Sequence, residues 1–264
     1  MGKSLLAGFV AILLIASLLL ASCSSGGSTT SAPAATSSAP TTSAPPKVYT
    51  LRYNDQNTEQ FFQTAWLNKV EEVTKGAIKF EKYFTQTLSK GADAWAATRD
   101  GIADVSWLSL NYTASVTPLT LVFGLPFMSY RTSERGAEIL WTLFNKYPSM
   151  QAEFKDVKVL CLFASSMSII FSPKVQVKTM ADLKGLNFRV QSGVESVTAA
   201  QLLGSSPMSL PMPDLYLALQ KGTTDASVAG WEPYLNNRLY EVAKYVSTVN
   251  LWTPAHAVVM NWDK

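Results

Sequence analysis

Arg189 lies in the β-prone run "NFRVQ" of "ADLKGLNFRVQSG" (Ala181–Gly193), just after Gly185, which stops a short helix. A guanidinium keeps its proton throughout the physiological range, so a half-buried one needs an anionic partner. That partner is either a local acid such as Glu195 or Asp182, or a small carboxylate held by two parallel N–H···O bonds. Trp107, Tyr112, Phe171, Trp231 and Tyr234 offer flat apolar faces that could wall a ligand, and each could equally serve as core. Asn111 and Gln191 could supply neutral hydrogen bonds or cap loops. Glu232 could accept from a ligand hydroxyl, ligate a cation or sit in solvent.

Other chemistries have little material. His256 is the single histidine, so a Ser-His-Asp triad or a histidine-based metal site has almost no material to work with. No G-x-S-x-G, H-E-x-x-H or C-x-x-C motif occurs, which disfavours an enzyme; no cofactor and no metal are expected. Cys23 and Cys161 cannot build a disulfide framework. Cys161, inside "VKVLCLFAS", is expected to pack as a small hydrophobe. The net charge is only +3 and the basic residues are dispersed, unlike the clustered pattern that nucleic acid binding requires.

The first residues, "MGKSLLAGFVAILLIASLLLASC", pair an early Lys3 with a long apolar run, the layout of a secretory signal. Small residues Ala21 and Ser22 precede Cys23, as in a bacterial lipoprotein signal. Cleavage after residue 22 would leave Cys23 as a lipidated N-terminus; an uncleaved membrane anchor is the alternative. Residues 23–46, rich in Ser, Thr, Ala and Pro and uncharged, cannot bury enough surface to fold and read as a tether. This layout places the folded part outside the cytoplasm, beside its membrane.

The elements that must position Arg189 follow from periodicity. "VYTLRYN", "IKFEKYF", "DVSWLSL", "VKVLCLFAS", "SIIFSP", "NFRVQ", "SPMSLP" and "ASVAG" read as strands. Between them, Glu59–Lys75 reads as a helix with Phe62, Trp66, Val70 and Val73 on one stripe, stopped by Gly76. "GADAWAATRDGIA", "SERGAEILWTLFNKYPSMQAEFKD" with a break near Pro148, "MADLKG", "SVTAAQLLG" and "PDLYLALQKG" also read as helical. Such alternation predicts an α/β architecture with mostly parallel sheets. No second linker appears, so two lobes would have to be joined by strands that cross between them.

Three blocks carry a resemblance: "SWLSLNY" with "GLPFMSY", "FSPKVQVKTMADLKGLNFRV", and "LPMPDLYLALQKGTTDASVAGWEPYLNNRLYEVAKY". In this order and spacing they resemble the solute-binding proteins of tripartite ATP-independent periplasmic (TRAP) transporters. The resemblance implies a type II periplasmic-binding-protein-like fold whose two lobes close on a ligand. Lobe I is expected over 47–170 and 250–264, lobe II over 171–249. It also implies capture of an organic acid by an arginine, matched by Arg189, and delivery to membrane-embedded TRAP permease subunits. A binding protein for an ATP-driven transporter or a sensor is the alternative, an extracellular hydrolase a more distant one. Two departures bear on ligand identity. Ser168 stands about where many relatives carry a second arginine, and Ala229 and Gly230, followed by Trp231 and Glu232, replace a segment in which many carry asparagine. Relatives also continue well beyond a point like "NWDK", so the expectation includes a chain that is C-terminally short.

Overall fold

The computed structural model describes residues 47–264 except Ser129 and Arg131. The expected signal, tether and Cys23 lie outside the described residues. Ten strands follow in chain order: β1 (Tyr49–Asn54), β2 (Ile78–Tyr83), β3 (Val105–Ser109), β4 (Lys158–Ala164), β5 (Ser168–Ser172), β6 (Asn187–Val190), β7 (Ser206–Ser209), β8 (Ala226–Gly230), β9 (Tyr245–Ser247) and β10 (Ala255–Met260). The helices are α1 (Phe61–Val73), α2 (Ala94–Arg99), α3 (Pro118–Leu121), α4 (Ser133–Lys146), α5 (Pro148–Glu153), α6 (Val194–Leu202), α7 (Met212–Lys221) and α8 (Trp231–Asn236).

The strands form two five-stranded sheets, ordered β2-β1-β3-β10-β4 and β7-β6-β8-β5-β9. Both are mixed, and parallel and antiparallel pairings are equally represented rather than mostly parallel. The balance comes from the chain's two passages between the sheets. It leaves β4 and enters the second sheet as β5, antiparallel to β8 and β9. It returns after β9 and inserts β10 antiparallel between β3 and β4. The second sheet thus begins at Ser168, three residues before the expected lobe boundary at 171.

Each sheet is covered on both faces. Trp95, Leu140, Phe154 and Leu162 pack on one face of the first sheet, and Tyr53, Leu67 and Trp107 on the other. Phe188 and Val190 face one core of the second sheet, Ile169, Phe171 and Leu215 the other. Every residue of β3 and of β5 is buried, so neither strand alternates in and out.

The apolar stripe expected for α1 is turned. Its buried positions are Gln63 and Leu67, whereas Phe62 and Val73 are exposed. Gln63 faces inward because its amide donates to the buried carboxylate of Asp55, at the end of β1. Cys161, expected in the core, is exposed on β4. Helix α7 stops where the sequence indicates: Gly222 adopts φ 74°, a left-handed C-cap that a side chain would disfavour.

Helix α4 lies against β4 through Gly136. A Cβ built there would meet the Ala164 Cβ at 2.7 Å and the Phe123 ring at 3.4 Å. Gly136→Ala is therefore expected to lose about 1–2 kcal/mol, overpacking outweighing the gain in helix propensity. A urea titration checks this; a variant as stable as the parent would show that α4 can move away freely.

Candidate functional site

The two passages between the sheets border a cavity of about 330 Å3. Ser165, Ser166 and Ser168 line it from the outgoing segment, Trp252, Pro254 and His256 from the return. The segments are tied together: Ser165 N donates to the Pro254 carbonyl at 2.9 Å, and Ser168 Oγ donates to the Trp252 carbonyl.

Arg189 enters this cavity from β6. The strand is held between β7 and β8, with Arg189 opposite Met208 and Ser227, which fixes the guanidinium stem. The residue is 1% exposed. Nε donates to the Leu210 carbonyl at 2.8 Å; the other two guanidinium nitrogens make no hydrogen bond, and no ion pair includes the residue, among the described residues. Both local acids are engaged elsewhere. Asp182 caps its own turn by accepting from Lys178 N and Thr179 N, and Glu195 accepts from Asn111 Nδ2. Burial pulls the guanidinium down to about 10, so it remains cationic at neutral pH. A buried cation with one carbonyl partner is an electrostatically incomplete site, and a carboxylate completes it.

Other candidates divide. Trp107, Tyr112, Gln191 and Glu232 line the same cavity. Glu232 sits in the first turn of α8, accepts from Asn236 Nδ2 at 3.1 Å, and has its carboxyl raised above the ordinary range by burial. Phe171 does not line the cavity; it packs on Tyr234 in the core behind β5, with ring centroids 5.1 Å apart. Trp231 also stays out, 41% exposed and edge-on to Tyr234. Asn111 lies beside the cavity, where its bond to Glu195 crosses from the first sheet's side to α6. A second crossing bond runs from Gln191 Nε2 to Ser109 Oγ at 2.6 Å. Among the described residues, no three His, Cys, Asp or Glu side chains gather closely enough to hold a metal ion.

Residues the sequence reading missed complete the walls. Phe62 and Phe163, 6.4 Å apart and edge-to-face, join Trp252 and Met212 as apolar surface. Gln56, Asn57 and Gln60 supply amides from the segment after β1. His256 stacks on Trp107 with centroids 4.6 Å apart, and burial depresses its imidazole to about 3.

The sequence profile of the DctP family, bacterial extracellular solute-binding proteins of family 7, matches residues 52–264. The chain belongs to this family. This family 7 protein is similar to the 2,3-diketo-L-gulonate-binding periplasmic protein YiaO of Escherichia coli K12, 25% identical over 191 residues, which cover 72% of this chain and 58% of the relative. The chain thus spans little more than half the length of that curated relative. Its fold matches a TRAP solute-binding protein of Rhodoferax ferrireducens T118 in complex with copurified benzoate (TM-score 0.75, 28% identity, 82% of this chain and 69% of that one). It also matches a marine metagenome TRAP solute-binding protein specific for aromatic acids, in complex with 3-hydroxybenzoate (TM-score 0.74, 27% identity, 82% and 70%). Family 7 proteins are solute-binding receptors, and two lobes of mixed α/β sheet are their fold.

Two hydrogen bonds, Asn111 to Glu195 and Gln191 to Ser109, thus join residues on the first sheet's side to residues that follow β6. Removing both, in Asn111→Ala with Gln191→Ala, makes closure less favourable and is expected to weaken ligand binding about 5- to 30-fold. Isothermal titration of the double variant checks this; unchanged affinity would separate these bonds from binding.

Proposed function

We propose that this protein captures a small organic acid outside the cytoplasm and delivers it to a TRAP-type permease. Arg189 carries the reading: a buried cation facing a cavity, with no acidic partner among the described residues. The acid's carboxylate takes the guanidinium fork, Gln191 and Tyr112 border it, and Trp107 with the Phe62, Phe163 and Trp252 surfaces accommodates an apolar or aromatic body. The benzoate and 3-hydroxybenzoate of the two structural relatives agree with a body of that kind. Ser168, where a second arginine was expected from relatives, favours one carboxylate over two. Cys23 tethers the receptor to its membrane through a lipid, with residues 23–46 as the leash.

A thermal-shift screen of aliphatic, keto, sugar and aromatic acids tests the binding function. Stabilisation by at least one monocarboxylate at micromolar to millimolar concentration is expected, because a ligand that binds only the folded state raises its stability. No response to any acid would overturn the reading. The anchor is tested separately: a Cys23→Ser chain should leave the membrane fraction for the soluble one.

A further inference from the structure

Gly91 opens a single 3-10 turn, Gly91–Asp93, that leads into α2. It lies just behind the cavity wall. A Cβ built on it would coincide with the end of the Gln56 side chain, whose Cδ would be 2.8 Å away, and would crowd Tyr112 Cε2 at 3.2 Å. Gln56 and Tyr112 both line the cavity. The backbone at Gly91 is not in the left-handed region, so alanine could adopt its conformation. What excludes a side chain there is the close approach of Gln56.

The backbones on both sides of this contact are fixed. Beyond Gly91, Ala94 and Trp95 of α2 are buried in the first sheet's core, so the turn cannot draw back. Around Gln56, Asp55 N donates to the Tyr83 carbonyl at 2.8 Å, Thr85 N to the Asn57 carbonyl at 2.7 Å, and Asn57 N to Asp55 Oδ1 at 2.8 Å. Only the Gln56 side chain can yield. Gln56 is 8% exposed and lines the cavity, so the space next to its amide is the cavity itself. At about 330 Å3 that cavity is at the small end of ligand sites, and an amide entering it takes a sizeable share.

We infer that Gly91 is a positioning residue that sets the bulk of the acid this cavity admits. With no side chain at 91, the Gln56 amide rests on the backbone of the turn and the cavity keeps room for a ring-sized body. A side chain at 91 turns the amide inward and cuts that room, and lost room is felt most by the bulkiest ligand. The inference rests on the carboxylate reading of Arg189 and adds to it the residue that limits the rest of the acid.

The test is titration calorimetry of the full chain with monocarboxylates of rising bulk: propionate, isovalerate, benzoate and naphthoate. Gly91→Ala should weaken the bulkiest acid that the parent binds by about 10-fold or more, and the smallest one bound by about threefold or less. Adding Gln56→Ala to Gly91→Ala should return the preference for bulky over small acids to within about threefold of the parent's, since the group pushed inward is then gone. Gln56→Ala alone, which leaves the turn untouched, should shift the preference toward bulkier acids by about threefold or more. A merely structural role for Gly91 would lower every affinity alike, and Gln56→Ala would not repair it. Equal binding by the parent and Gly91→Ala, a loss shared evenly by all acids, or a loss that the double variant keeps overturns the sizing role and leaves the carboxylate reading in place. Should Gly91→Ala fail to fold, Gln56→Ala decides, and an unchanged preference overturns the role. A parent that binds fewer than two of the four acids also overturns it, and overturns the carboxylate reading as well if it answers no acid in the thermal-shift screen. Arg189→Met binding like the parent overturns the carboxylate reading alone.

Discussion

Arg189→Met abolishes stabilisation by carboxylates while leaving the unliganded protein at least as stable as the parent. The two halves of this result have one cause. The guanidinium is buried with a single hydrogen bond among the described residues, to the Leu210 carbonyl. Its desolvation is poorly compensated, and a methionine of similar length fills the space without that cost. The Leu210 carbonyl loses a donor, which costs about 1 kcal/mol and is smaller than the penalty removed. With an acid bound the balance inverts, because the cation then gains two charge-assisted bonds in a site shielded from water. Leaving a buried carboxylate without its partner costs about 3–5 kcal/mol, at least a hundredfold in affinity. Thermal melts with and without acid read both halves. A variant that melts far below the parent would make Arg189 a structural residue, and one that still responds to acids would remove it from the site.

Arg189 was legible in the sequence because permanent charge inside "NFRVQ" is a local anomaly: a four-residue strand follows a stop glycine, and one residue cannot belong to an ordinary core. The strands and helices were legible for a related reason, since their periods alternate, whereas the division into two lobes was implied only by the family resemblance and the antiparallel crossings were not foreseen. Which aromatics face the cavity was not. Strand β5 is buried on both faces, so nothing in "SIIFS" tells Phe171, in the core, from Ser168, at the cavity. His256 was hidden more deeply. Its neighbours Trp107 and Phe163 come from β3 and β4, and β10 meets both only after the chain has visited the second sheet. A lone histidine argues against a triad, and sequence alone does not say which strands it will lie between. Gln63 misled in the opposite direction: polar by type, it takes a core position because Asp55 below it needs a donor.

Those two hidden groups, Asp55 and His256, give the second large expectation: stability that changes little with pH in the parent and steeply in either single variant. Asp55 is fully buried; burial pushes its carboxyl to about 7, against the opposing bonds from Asn57 and Tyr53. Its folded value lies above its ordinary 3.8, so its contribution is complete below that pH and is lost as pH rises through about 7. His256 is depressed from 6.5 to about 3 by burial, so its contribution is complete above 6.5 and is lost as pH falls toward 3. Each term is on the order of 4 kcal/mol across its window, and between about pH 4 and 6.5 they have opposite slopes. The carboxyl of Glu232, also raised by burial, adds in the same direction as Asp55. Urea titrations across that range should therefore give a nearly flat profile for the parent. Asp55→Asn should expose the histidine, with stability rising as pH rises; His256→Phe should expose the carboxyl, with stability falling as pH rises. The slope is the quantity read, because Asn at 55 also disturbs the bonds from Gln63 and Tyr53 and lowers stability at every pH. A parent that climbs steeply from pH 4 to 6.5 would mean that the four donors around Asp55 outweigh its burial and keep it ionised. A His256→Phe profile parallel to the parent's would mean that the imidazole titrates in the fold as it does in water, which the stacked, enclosed ring opposes.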